Sequence, residues 1–153
     1  MCIRDSILAV RSRQKGEAAL TSIRLETNHP DAGEVWDLDM SSFESVEAFA
    51  KRLHELDRLD AVIENASIST GSFDTAEGME YSLMVNVVGT LLLAIRALPK
   101  LEASGRAFNT QTNLTIITSG LAFGWNMKNM VKNCQGDILE ALSKKDKFSG
   151  YYQ

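Results

Sequence analysis

Leu59-Asp60-Ala61-Val62-Ile63-Glu64-Asn65 decides the fold: a short apolar run that stops abruptly on polar residues. Asp57–Leu59 reads as the turn that introduces it, and a run this brief between turn signals is a strand rather than a helix. Little alternation within Ala61-Val62-Ile63 predicts a strand buried on both faces, as in parallel sheets. The same pattern recurs outward in both directions. Ile7–Val10 reads as a strand followed by Arg11, Glu34–Leu38 as one followed by Asp39, and Leu114–Thr118 as one followed by Ser119. Helical patterns fill the intervals. Arg13–Thr27 reads as a helix whose first turn is weakened by Gly16. Ser41-Ser42-Phe43-Glu44 is a capping-box pattern with Ser41 as the acceptor. Beyond it Phe43, Val46, Phe49, Ala50, Leu53 and Leu56 recur at three and four, forming one buried helix face. A long helix is expected from about Thr75 to Lys100, interrupted in composition only by Asn86 and Gly89. Gly120–Gln135 reads as a loop and Asp137–Lys145 as a short amphipathic helix. Strands alternating with helices imply right-handed βαβ units and a doubly wound parallel α/β sheet. In such sheets ligands bind beyond the carboxyl ends of the strands. Arg11, Asp39, Asn65 and Ser119 are therefore expected on one rim, suited to a nucleotide cofactor.

Composition narrows the function classes. The 153 residues suffice for one domain, and 44% hydrophobic with 24% charged residues is ordinary for a globular chain. A formal net charge of −4 offers no footprint for nucleic acid. No uncharged apolar run approaches the ~20 residues of a membrane span, since Leu91–Ile95 is broken by Arg96. Met1–Ser6 lacks the apolar region of a signal peptide, so a cytoplasmic location is expected. Cys2 and Cys134 have neither metal nor redox spacing and read as free thiols. His29 and His54 have no partner constellation in the sequence.

Four runs carry a resemblance: Leu38-Asp39-Met40, Glu64-Asn65-Ala66-Ser67, Asn86-Val87-Val88-Gly89-Thr90 and Thr115-Ile116-Ile117-Thr118-Ser119-Gly120. In this order, over Ile7 to Gln153, they resemble the short-chain dehydrogenase/reductase family. The long interval after Ser119, with Trp125, Met127 and Met130, resembles retinol-dehydrogenase-like and fungal members. The resemblance implies a Rossmann-like sheet and an NAD(P)(H)-dependent oxidoreductase that moves a hydride between nicotinamide and a small carbonyl or alcohol substrate. It sets Arg11 and Ser12 at the adenosine ribose, where a basic fork suits a 2′-phosphate and favours NADP, with NAD as the alternative. It sets Asp39 and Met40 at the adenine, although Asp39 by itself reads equally as a cap of the next helix. Asn65 and Ala66 would line the cofactor site. Glu64 stands where the family has asparagine, and Ser67 stands where it has glycine, a change that needs an ordinary backbone angle. Asn86 would distort its helix beside the catalytic group. Ser119 would bond the substrate carbonyl oxygen, and Tyr152, with Tyr151 second, would be the general acid. A phenol with a pKa near ~10 needs a neighbouring cation for that work. The parent protein is expected as a homodimer or a monomer.

The ends complete the expectation. The family's glycine-rich loop and first strand do not precede Arg11, its lysine would fall beyond Gln153, and residues 1–6 read as a non-native leader. Residues 7–153 then form a partial, incomplete dinucleotide-binding domain, itself expected to be inactive. The strand order 3-2-1-4-5 implied by the resemblance would leave the facing edges of the Ile7 and Ala61 strands unpaired, or make them close on each other. Two other readings fit parts of the pattern: a non-catalytic nucleotide- or protein-binding relative, and an S-adenosylmethionine-dependent methyltransferase-like domain with an acidic strand end at the ribose.

Overall fold

A computed structural model describes residues 6–120 and 136–148. The first half is built as the sequence predicts. Strand β1 (Ile7–Val10) leads through Ser12, whose hydroxyl accepts from the Lys15 amide, into helix α1 (Arg13–Thr27). Asn28 ends the helix in the left-handed conformation, and β2 (Glu34–Asp37) follows after a turn. Strands β1 and β2 pair in parallel, Ile7 opposite Glu34 and Val10 opposite Asp37. Gly16 explains how α1 lies so close to them. A Cβ there would stand 2.7 Å from Val10 Cγ2 and 2.8 Å from Val35 Cγ1. The glycine read as a weak first turn is thus a close helix–sheet contact.

Helix α2 (Phe43–Glu55) buries Val46, Phe49, Ala50 and Leu53, the predicted face. Its cap sits one residue later than the capping-box reading: Ser42, not Ser41, accepts from the Ser45 amide. Ser41 is occupied instead with Asp39, donating its hydroxyl and its amide to Oδ1 at 2.6 and 2.9 Å. Against α2 rests Trp36 of β2, its ring edge-on to Phe49 at 5.8 Å and covered by the Arg52 guanidinium. Neighbouring residues of β2 therefore face opposite layers, Val35 toward α1 and Trp36 toward α2.

The second half departs from the reading in three places. The expected helix from Thr75 begins as a hairpin, β4 (Thr75–Ala76) with β5 (Met79–Glu80). Glu77 and Gly78 at its tip have φ of 52° and 79°, the pair of positive angles that a tight hairpin turn demands. Helical structure then runs from Tyr81 to Phe108 as α3 (Tyr81–Leu83), a π-helical segment (Met84–Gly89) and α4 (Thr90–Phe108). It passes through Pro99 and stops eight residues beyond the expected Lys100, at a left-handed Asn109. By length and composition Tyr81–Phe108 would suffice to cross a membrane. Yet it carries Arg96 and Lys100, and it buries Met84, Val85, Leu93, Ala94, Ala97 and Leu101 in the core. The core packing explains its apolar character without a bilayer.

Strands β3 (Ala61–Glu64) and β6 (Asn113–Ile116) pair in parallel, Ala61 opposite Asn113 and Glu64 opposite Ile116. Neither is covered on both faces as expected. Ile63 is 67% exposed and Ile116 38% exposed, because α4 packs on one face only and no described element covers the other. β1 and β3 are not paired, so the described residues form two parallel pairs beside the β4–β5 hairpin. Helix α5 (Ile138–Leu142), capped by Asp137, and a 3₁₀ turn (Lys145–Lys147) close the described chain.

Candidate functional site

The carboxyl ends of β1, β2 and β3 converge on a cavity of about 120 Å³. It is lined by Ala9 and Arg11 after β1, by Leu38, Asp39 and Met40 after β2, by Ala66, Ser67 and Ile68 after β3, and by Tyr81 and Val85. A hollow of about 380 Å³ lies elsewhere, beside Thr21, Arg24, Leu25, Asn28 and Pro30 at the far end of α1. It is the larger of the two, but the Nε and Nη2 of Arg24 are bonded to the carbonyls of Ala32 and Gly33. The smaller cavity is where polar side chains meet at strand ends, and position rather than volume makes it the candidate.

Arg11 is the exposed cation of this rim. Its Nη1 donates to the Tyr81 hydroxyl at 2.7 Å, while Nε and Nη2 have no acceptor among the described residues. The next arginine is committed elsewhere. Arg13 Nη2 lies 2.8 Å from Asp37, and Nη1 lies 3.5 Å from Glu17. Hydrogen bonding to Asp37 raises the Arg13 pKa further. Asp39 lines the cavity, its Oδ1 held by Ser41 and its own amide bonded to Ser45 Oγ. Asp39 thus braces the turn before α2, whose cap is Ser42, and lines the cavity. Ser12 is turned to capping α1.

Met40 supplies a tight joint. Its carbonyl oxygen would lie 2.3 Å from a Cβ at position 89, so only glycine lets the π-helical segment reach the end of β2. That segment includes Asn86, the residue expected to distort its helix. The Asn86 side chain is spent on the rim: Oδ1 accepts from the Ile68 amide and Nδ2 donates to the Ile68 carbonyl, both at 2.8 Å. Thr90 Oγ1 bonds the Val85 carbonyl at 3.1 Å across the same turn. A π-helical segment interrupts the usual i→i−4 ladder, and side-chain bonds around it hold the loop after β3 in place.

Ser67, in place of the family's glycine, is not among the residues with positive φ, so the serine fits without strain. Asn65 is exposed, makes no side-chain hydrogen bond among the described residues and does not line the cavity. Ser119 is exposed beyond β6 and stands outside the lining as well. Tyr151 and Tyr152 lie outside the described residues, as do Trp125, Met127, Met130 and Cys134.

Two features escaped the sequence reading. Tyr81 looked like one more position in a long helix, and only the hairpin before it brings its hydroxyl to Arg11. Glu64 drew attention as a departure from asparagine, but not as a buried acid. It is 7% exposed, both carboxyl oxygens lack a partner among the described residues, and burial pushes its pKa up to about 7. Among the described residues no cluster of His, Cys, Asp and Glu is arranged for a metal.

Comparison with known proteins gives this geometry a context. The family described as short chain dehydrogenase matches residues 5–123. A short chain dehydrogenase/reductase of Cryptosporiopsis sp. is 47% identical over 115 residues, covering 74% of this chain and 36% of that protein. A short chain dehydrogenase of Alternaria solani is 37% identical over 145 residues, covering 94% of this chain and 50% of its own length. The chain thus spans between about a third and a half of these relatives. Among solved structures, a short-chain dehydrogenase from Sphingobium yanoikuyae in complex with NADPH superposes with a TM-score of 0.62 at 25% identity. The superposition covers 76% of this chain and 44% of that one. An alcohol dehydrogenase from Thermococcus sibiricus shares the fold with a TM-score of 0.58 at 23% identity, covering 76% of this chain and 48% of its own.

Proposed function

This chain belongs to the short-chain dehydrogenase family, and from that premise we propose that the whole protein is an NADP(H)-dependent oxidoreductase acting on a small carbonyl or alcohol. The observation that carries the cofactor preference is Arg11. It is a guanidinium lining the strand-end cavity, without a carboxylate partner among the described residues, while its neighbour Arg13 is paired with Asp37 and Glu17. A planar fork with open donors suits a phosphate ester, and a charge-assisted bond of this kind is stronger than a neutral one. The Sphingobium relative is described in complex with NADPH, in keeping with this reading.

The described residues fit the adenosine end of such a cofactor. Asp39 keeps Oδ2 without a donor among the described residues and lines the cavity together with the apolar Ala9, Leu38, Met40 and Val85. It would accept from an exocyclic amine there, with Ala66 and Ser67 also in the lining. The nicotinamide ring, when bound, donates or accepts the hydride. The chain's own part in the chemistry would fall to other residues. Ser119 would hold the carbonyl oxygen on which charge develops, and the Tyr152 phenol would give it a proton. Asn86 acts indirectly, fixing the loop from Asn65 to Ile68 through its two bonds to Ile68.

The test uses the full-length protein, titrated with NADPH and with NADH while tryptophan fluorescence is followed. Arg11→Ala should weaken NADPH binding about 10–100-fold, the loss of a charged hydrogen bond, and leave NADH within about twofold. Failure of the unsubstituted protein to bind either dinucleotide would overturn the reading.

A further inference from the structure

We infer that Tyr81 is a positioning residue for cofactor choice: its hydroxyl holds the Arg11 guanidinium at the cavity mouth, and so sets the preference for a 2′-phosphorylated adenosine. The inference rests on the dehydrogenase reading above and adds a residue to it. Arginine carries a long, mobile side chain, and an exposed one loses rotamer freedom whenever it binds an anion. A group that already restrains it lowers that cost for a phosphate and does nothing for a ligand lacking one.

Tyr81 is built for such restraint. Its ring packs against the main hydrophobic core, so the hydroxyl emerges at a fixed place. Its amide donates to the Asp74 carbonyl at 3.0 Å. The preceding Glu80 is 1% exposed, and its carboxylate accepts from the Leu83 amide at 2.8 Å and the Ser82 hydroxyl at 3.1 Å. The hairpin that delivers the residue is tied to α2 through Glu77, which accepts from the Phe43 amide at 3.0 Å. From this anchored base the hydroxyl accepts one donor of Arg11, and Nε and Nη2 keep no acceptor among the described residues, in a cavity that Asp39 and Ala66 also line. A phenol can take this place without competing for the ligand, because it is neutral and brings no second charge to the mouth.

The experiment measures binding of 2′,5′-ADP and of 5′-ADP to the full-length protein by calorimetry, for the unsubstituted form, Tyr81→Phe, Arg11→Ala and the double variant. Tyr81→Phe keeps the packed ring and removes only the hydroxyl. It should weaken 2′,5′-ADP about five- to tenfold, leave 5′-ADP within about twofold, and add nothing in the Arg11→Ala background. Equal weakening of both nucleotides, or a full effect that persists without Arg11, would overturn the inference and give Tyr81 a purely structural role. An unchanged affinity for 2′,5′-ADP in Tyr81→Phe would overturn it too. If the unsubstituted protein binds neither nucleotide, the dehydrogenase reading itself falls, an outcome distinct from the others.

Discussion

In the β1–β2 pair, Val35 lies under α1 and Trp36 under α2, so consecutive residues are buried on opposite faces. In the β3–β6 pair α4 packs on one face, where Val62 joins the core and Glu64 is buried at 7% exposure, while Ile63 on the other face stands 67% exposed. Both pairs are short parallel runs of similar apolar content. What separates them is the number of layers, two over β2 and one over β3. A strand with one covered face should alternate with its apolar residues inward. The β3 sequence suits a strand enclosed on both sides, and within the described residues it has one side only.

The joint between the halves should give the largest effect. Gly89→Ala places a Cβ against the Met40 carbonyl, where backbone rather than a side-chain tip must yield. A loss near the ~3 kcal/mol upper end of overpacking costs is expected by denaturant melts, with nucleotide binding at the Met40 side lost as well. A neutral variant would show that the two halves are not held by this contact. Leu53→Ala in the two-layered half should cost about 3 kcal/mol, against less than about 0.5 kcal/mol for Ile63→Ala in the open one. An Ile63→Ala cost above about 1.5 kcal/mol would mean that its face is covered in solution, and the contrast between halves would disappear.

Glu64 sharpens the comparison through pH. Its folded pKa of about 7 lies above the ordinary 4.5, so the folded state holds the proton more tightly. The stabilisation this brings is complete below 4.5 and is lost as pH rises through 7. The unfolding free energy of the unsubstituted chain should therefore fall between pH 5 and pH 8 relative to Glu64→Gln, by at most about 3 kcal/mol in denaturant melts. Parallel pH profiles for the two would place the acid in contact with a cation or with water. A small effect also belongs to the surface link between α2 and α4. There Arg96 Nε and Nη2 both reach Glu47 Oε1, at 2.8 and 2.7 Å, with both side chains about half exposed. Arg96→Ala should cost no more than about 1 kcal/mol, and that cost should shrink in high salt.

Much of the site is legible in the chain because strand ends and helix starts are written in local chemistry. Arg11, Asp39, Met40 and Ala66 come to one cavity as the ends of consecutive strands must. Asn86 falls on a distorted turn because an asparagine among valines and methionines suits no regular helix surface. Asn65 and Ser119 follow the same rule of position yet do not reach the cavity wall, since placement at a strand end fixes the neighbourhood and not the direction of a side chain.

The sequence by itself determined the strand–helix alternation, the boundaries of α1, the inner face of α2, the parallel pairing class and the family. Each of these depends on period, turn chemistry or motif order over a few residues. Only the tertiary structure decided the hairpin at Glu77-Gly78, the joint of Gly89 on Met40, the bond from Arg11 to Tyr81 and the burial of Glu64. Two of these depend on segments that meet across about 50 to 70 residues of chain, Gly89 on Met40 and Arg11 on Tyr81. The burial of a strand depends on how many layers lie over it, a property of the assembled fold rather than of the strand's own residues.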